Sequence, residues 1–374
     1  MFGLPSLKIG TLFGIPLVVD ASWFVILFLS ASTLTTSYFP AALPDRDPVT
    51  YTALGLVTAL AFFGSLVLHE LAHSLVARAG GLRISRVTLF LFGGVSQMEE
   101  EPHRPGQEFL VAVAGPLTSV LISAIAWIAS VLLALGGVPD TFWVPVEYLA
   151  FINLSLAVFN LLPGFPLDGG RILRAILWAL TRDLLKATKW ASRSGQMIGS
   201  LLIAIAVLGV IRGTFDFVWF AVMGWVLTTM AAGAYQQQII RSMLATVPLA
   251  RIMSSPAVLA PADITLEDMA HSYFLGGRHT RYPVVSDGRV VGLIDLDRAN
   301  AVPRSEWPSV TVADVAARDL HGAIAAPETT VDTVLPLLES VGPGAVLVVE
   351  NGRLSGIVTR SDVIRLVREL SERG

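Results

Sequence analysis

The sequence predicts a polytopic α-helical membrane protein, with about six transmembrane helices and a short membrane-associated β segment, followed by a soluble α/β domain. Three observations predict it. The 374 residues are 53% hydrophobic and only 15% charged, with a mean hydropathy of +0.67, whereas soluble domains carry about 25% charged residues. The charge is also unevenly spread. Residues 1–245 hold 14 Lys+Arg and 13 Asp+Glu, while residues 246–374 hold 12 and 16, so charge density doubles near residue 245. Finally, the apolar residues before that point fall in runs of about 20 or more, the length that crosses a hydrocarbon core. A plain cytosolic enzyme and a disordered chain are excluded. So is a nucleic-acid binder, which needs a basic excess where this chain has a net charge of −3. With no cysteine present, disulfides and thiolate chemistry are excluded, and any metal must be held by His, Asp, Glu or water.

The apolar runs lie near 16–39, 51–79, 108–136, 143–162 continuing to 180, 195–212 and 215–240. The first is too long and too weakly basic at its start for a signal peptide. The fourth is broken by Pro163, Gly164 and Pro166, and only residues 212–214 separate the last two. Loops on one side of these spans hold 11 Lys and Arg, among them Arg78, Arg171 and Arg193, against Arg46 and Arg212 on the other. Positive loops stay in the cytoplasm, so both termini and the soluble domain are expected there. Arg outnumbers Lys 23 to 3, which suits a GC-rich bacterial genome without bearing on physiology; the expected location is the bacterial inner membrane.

The second run contains His69-Glu70-Leu71-Ala72-His73. On a helix, positions i and i+4 share a face about 6 Å apart along the axis, so two imidazoles there can chelate one divalent ion. The intervening Glu can reach a water on that ion. A chance occurrence in a helix is the bland alternative, but two His and one Glu inside a bilayer are costly unless they do something. Hydrolytic zinc sites use three protein ligands and leave a position for water. Asp168, in NLLPGFPLDGG at 160–170, is the candidate third ligand. Prolines and glycines free the backbone there, which is tolerated at membrane depth only where protein or a water-filled cavity surrounds it. An Asp before an ordinary turn is the alternative.

HELAH on one span with NLLPGFPLDGG on a later one resembles the site-2 protease family of intramembrane zinc metalloproteases, over most of residues 1–240. The resemblance implies that His69, His73 and Asp168 would ligate one Zn2+ and that Glu70 would be the general base. It implies a substrate that is a single-span membrane protein, such as an anti-sigma factor or another membrane-anchored regulator. It also implies a short β structure between the two motif-bearing helices, which the segment around Gly93 and Gly94 fits. Residues 87–98 (VTLFLFGGVSQM), β-branched and aromatic, are the candidate strand edge for pairing with an unwound substrate; a packed hairpin without that role is the alternative. Asn160 takes the place of the family Asn that hydrogen-bonds substrate backbone, or else it pins the broken helix. Gly115-Pro116 is read as a site of close helix packing. Asp20 departs from relatives that often carry His, outside the zinc motifs.

The soluble tail holds an internal repeat. RYPVVSDGRVVGLIDLDRA (281–299) parallels GAVLVVENGRLSGIVTRSDVI (344–364), with Gly288/Gly352 and Gly292/Gly356 each 64 apart. Each unit reads as a helix followed by two strands joined by an Asp-Gly or Asn-Gly turn. This resembles a tandem CBS pair, with repeats at about 246–305 and 306–374, and so completes the expected fold as a membrane domain (1–245) plus an α/β CBS pair (246–374). The resemblance implies a nucleotide cleft with a Thr/Ser followed three positions later by Asp. Thr359 and Asp362 supply it in the second repeat; the first lacks it, reading Asp295 to Arg298 at that place. One adenine nucleotide at most is implied, and a homodimer through this domain; a scaffold without ligand is the alternative. His271, His279 and His321 read as surface groups, and Glu99-Glu100-Glu101 as a solvated loop.

The competing function is a CBS-regulated transporter or channel that uses the His/Asp site for metal binding, since broken helices and intramembrane carboxylates occur there too. A permeation site has no need of a general base beside a chelate, and no inverted repeat is evident. A zinc-holding pseudoprotease has no use for Glu70.

Overall fold

Apolar runs and their punctuation determine the architecture. A computed structural model describes residues 6–90, 93–98, 101–214, 217–275, 280–318, 320, 323–339, 344–350 and 353–372. The chain divides into two compact units, Met1–Gln238 and Ile239–Gly374.

Among the described residues of the first unit, six helices are long and apolar enough to cross a membrane: α1 (Ser22–Ala42), α2 (Pro48–Ala79), α3 (Pro105–Leu135), α4 (Asp140–Asn160), α6 (Leu184–Ile211) and α7 (Val218–Leu244, which runs on past the division). A shorter helix, α5 (Asp168–Thr181), follows the proline-glycine break. Local chemistry sets the ends. The Asp47 carboxylate accepts from the amides of Val49 and Thr50, and Pro48 occupies the first helical position, where its missing N–H is no loss. Asp183 caps α6 by accepting from Lys186 N. The segment 161–167 is anchored on α6, with Phe165 N donating to Ala191 O at 3.2 Å and the Ser194 hydroxyl to Pro163 O.

The first apolar run is not helical from residue 16. It opens with a hairpin, β1 (Ser6–Leu12) and β2 (Ile15–Asp20), turned at Phe13 and Gly14, whose φ values of 51° and 80° suit a two-residue turn. Hydropathy alone cannot separate a buried strand from the start of a helix. Here the alternation of Ile15, Leu17 and Val19 onto one face, together with Asp20 Oδ1 accepting from Ser22 N at 2.9 Å, ends the strand before α1 begins. The expected short β segment is therefore part of a four-stranded sheet in the order β1-β2-β3-β4, completed by β3 (Ile84–Phe90) and β4 (Gly93–Met98). β2 pairs in parallel with β3, Leu17 opposite Val87 and Val19 opposite Leu89. Those side chains and Ile15 bury against Leu71 of α2. The candidate edge at 87–98 is thereby corrected: β3 is paired on both sides, and among the described residues β4 is the outer strand on that side.

Among its described residues, the second unit holds two three-stranded sheets. One contains β5 (Ala260–Pro261), β6 (Arg281–Ser286) and β7 (Arg289–Asp295); the other contains β8 (Ile324–Ala325), β9 (Ala345–Glu350) and β10 (Arg353–Thr359). Asp287 and Gly288, at φ 49° and 76°, form the expected turn; Asn351-Gly352 lies outside the described residues. The short helices are α8 (Leu266–Met269), α9 (Leu296–Asn300), α10 (Val312–Val315), α11 (Val331–Glu339) and α12 (Arg360–Glu372). The segment leading into each repeat packs on the other repeat's sheet. Leu249 and Ile252 bury against Val346, Val348 and Val358, while Trp307, Val312 and Ala316 bury against Tyr282, Val284 and Ile294. The repeated glycines mark these crossings. A Cβ on Gly292 would meet Ala316 and the Ala317 carbonyl, and one on Gly356 would meet Met253 and the Ser254 carbonyl.

Candidate metal centre and active site

α2 presents His69 and His73 on its buried face, at 2% and 3% exposure. Asp168, the first residue of α5, is 9% exposed and reaches both. Its Oδ2 lies 3.2 Å from His69 Nε2 and 3.3 Å from His73 Nε2, and the two Nε2 atoms are 3.3 Å apart. Among the described residues these three form a group whose ligand atoms all lie within 4.8 Å of one another.

The outer ring nitrogens fix the inner ones. His73 Nδ1 lies 2.6 Å from the Val111 carbonyl, an acceptor only, so a neutral His73 must carry its proton there and present a bare lone pair at Nε2. His69 Nδ1 lies 2.8 Å from Ser119 Oγ, which can accept in the same way; both tautomers are inferred from partners. Two imidazole lone pairs and a carboxylate oxygen then face one another inside the protein. A cation between them would offset the repulsion of these like partial charges. Gly115 supports the same reading, since a Cβ there would run into both Nε2 atoms. The residues present therefore fit a divalent metal held by two nitrogens and one oxygen, the donor set of hydrolytic zinc sites.

Glu70 stands beside this group, half-buried. The Ser96 hydroxyl of β4 lies 3.2 Å from Glu70 Oε2 and 3.0 Å from the Glu70 carbonyl, and Ser74 lies 3.1 Å from the same carbonyl. A Cβ on Gly94 would strike the Glu70 side chain, so β4 can lie against the carboxylate only with glycine at this position. His69, Glu70, His73, Gly93, Gly94, Asn160 and Asp168 all line one cavity of about 290 Å3, which α7 closes with Met223, Val226, Leu227 and Met230. Asn160 donates from Nδ2 to Leu156 O at 3.1 Å, within its own helix.

Gly115, Ser119, Val111 and Ser96 were not singled out by the sequence for these contacts. Gly115 in particular serves the imidazoles, beyond the helix packing expected of it. A signal was available: Gly115, Ser119 and Ser123 recur every four residues on one face of an otherwise apolar α3.

In the second unit, Asp362 is 6% exposed and lines a separate cleft of about 190 Å3 with Arg251 and Arg365. Its Oδ2 accepts from the Thr359 amide at 2.9 Å and hydroxyl at 2.7 Å, and Oδ1 accepts from Arg365 Nη2 at 2.7 Å. His271 is exposed, whereas His279, His321, Glu99 and Glu100 lie outside the described residues.

Comparison with known proteins finds a family match on each side of residue 245. The family model described as peptidase family M50 matches residues 57–142 and 138–206, and the CBS domain model matches 249–299 and 312–369. A relative from Synechocystis sp., provisionally named zinc metalloprotease sll0528, is 36% identical over 97% of this chain and 96% of its own length. One from Mycobacterium tuberculosis, provisionally named zinc metalloprotease Rip3, is 36% identical over 97% of this chain and 93% of its own. A solved site-2 protease structure from Methanocaldococcus jannaschii is 26% identical, with a TM-score of 0.43, over 62% of this chain and 95% of that one.

Proposed function

The chain belongs to peptidase family M50, the site-2 protease family of membrane zinc metalloproteases, and carries a CBS pair; on that premise we propose that it hydrolyses a peptide bond in or near the transmembrane segment of a membrane-anchored protein, with Glu70 as general base. The observation that carries this reading is the convergence of His69, His73 and Asp168 in one cavity with a carboxylate and a free strand edge. A permeation site has no need of a general base placed beside a chelate.

His69, His73 and Asp168 would hold the zinc, which when bound supplies a Lewis acid that makes water nucleophilic near neutral pH and polarises a carbonyl. Glu70 takes the proton of the attacking water and delivers it to the leaving amine. The scissile C–N bond breaks, and the water oxygen ends in the new carboxylate. Ser96 orients the Glu70 carboxylate through its hydroxyl. Val111 and Ser119 hold the imidazoles in register from behind. A helical substrate hides its carbonyls in its own hydrogen bonds and must unwind; the free edge of β4, from Gly93 onward, then takes the extended segment by strand pairing. Asn160 faces the same cavity as a further backbone contact.

The substrate is a single-span protein of the bacterial inner membrane, a membrane-anchored regulator such as an anti-sigma factor. Both termini and the CBS pair face the cytoplasm, following the distribution of Lys and Arg. His73 lies six residues, roughly 9 Å, from the end of α2, so the metal sits toward the cytosolic face, where water reaches it. The CBS pair regulates the protease, taking at most one adenine nucleotide at the cleft that Asp362 lines and pairing two chains.

Glu70→Gln tests the mechanism. The purified variant is expected to retain zinc and lose cleavage of a single-span substrate; cleavage at the wild-type rate would contradict the general-base role.

A further inference from the structure

α5 carries two arginines one turn apart, used very differently. Arg174 is committed: its Nε donates to Glu108 Oε1 at 2.6 Å, and its guanidinium lies 5.0 Å from the centre of the Phe165 ring. Arg171, three residues after Asp168, lines the active-site cavity and is half-buried. Its amide donates to Leu167 O at 3.2 Å, but among the described residues its side chain makes no hydrogen bond or ion pair. Its guanidinium lies within electrostatic reach of His73 and Glu108, yet among the described residues none of its five N–H donors is committed to a hydrogen bond.

An extended substrate creates the complementary need. Carbonyls of a strand point alternately to its two edges, so pairing with β4 satisfies only one edge. Those on the other edge face the cavity wall, where an acceptor that loses its water and gains no donor is expensive. Other donors around the cavity are partly committed: Asn160 gives one Nδ2 hydrogen to Leu156 O, which leaves its second for substrate, and the Ser96 hydroxyl is taken by Glu70. Among the described residues, Arg171 lines the cavity with its whole set of side-chain donors uncommitted.

We propose that Arg171 is a substrate-binding residue that donates to main-chain carbonyl oxygens of the unwound segment on the edge turned away from β4. The contact reads backbone and so is indifferent to substrate side chains. The inference rests on the proteolytic reading of the site.

The test uses the full chain in lipid nanodiscs with a fluorescent single-span substrate peptide. In the zinc-loaded Glu70→Gln background, Arg171→Gln should weaken peptide binding by roughly ten- to a hundredfold, the worth of hydrogen bonds to a charged group. Zinc content should stay unchanged. Arg171→Lys, which keeps a charged donor, should restore part of that affinity. With Glu70 intact, Arg171→Gln should raise KM while kcat changes by less than about threefold, the signature of lost uniform binding. Unchanged peptide affinity in Arg171→Gln, or a fall in kcat with KM unmoved, would overturn the proposal. Peptide binding that depends on Arg171 in a chain that never cuts the peptide would support it while refuting the proteolytic reading.

Discussion

The two units of this protein use the same polar residues to opposite ends. In the C-terminal unit, Thr-x-x-Asp occurs at Thr265/Asp268, Thr311/Asp314 and Thr359/Asp362, with hydroxyl-to-carboxylate distances of 2.8, 2.6 and 2.7 Å. Each stands at the start of a helix, where the pair satisfies amides that have no partner within the helix. The Thr311 hydroxyl and amide hold the Asp314 carboxylate below its ordinary pKa, as a capping bond should. The signature that suggests a ribose contact at Thr359 and Asp362 is thus also a capping device that the chain uses elsewhere. In the membrane unit Asp47 and Asp183 also cap helix starts, but the polar groups inside the spans serve a different end. His69, His73, Asp168 and Glu108 are buried, and each faces specific partners drawn from other helices. A polar motif is informative in proportion to what it costs to place it there, and that cost is far higher in the bilayer.

Breaking one partner in the membrane unit should therefore cost more than breaking a cap. The largest effect is expected at Glu108, whose side chain is 1% exposed and paired with Arg174. Glu108→Ala leaves a buried guanidinium unpaired and should destabilise the membrane unit by about 3–5 kcal/mol. The apparent unfolding temperature reads this, and replacing Arg174 by Met in the same chain should recover much of the loss. Gly115→Val comes next: its side chain would enter the space between the imidazoles, and zinc affinity measured against a competing chelator should fall by roughly a hundredfold. Ser96→Ala should lower kcat by about tenfold with zinc content unchanged, since one hydrogen bond to a charged group is lost. Thr359→Ala should cost only about 1 kcal/mol in the unfolding of the C-terminal unit, a typical cap, and leave zinc content intact. A larger loss at Thr359 than at Glu108 would break the comparison.

Much of the site is legible in the sequence because local periodicity encodes it. The i, i+4 spacing of His69 and His73 puts both on one helix face, and the prolines and glycines around Asp168 announce the break that exposes it. What escapes the sequence arises from contacts between distant segments. β2 has the hydropathy of a helix start, and its partner β3 lies some seventy residues away, Leu17 opposite Val87. Val111, Ser119 and Gly115 serve the imidazoles only because α3 packs on α2. In the tail the repeats are visible, but the exchange of leading segments across Gly292 and Gly356 is not, because no local pattern records which sheet a segment will cover.

Zinc content of the purified full chain, measured by mass spectrometry, tests the central assignment most directly. The account predicts one zinc per chain in the wild type, retained in Glu70→Gln and in Asp362→Ala, and lost in His69→Ala, His73→Ala and Asp168→Ala. Full zinc occupancy in Asp168→Ala would contradict it.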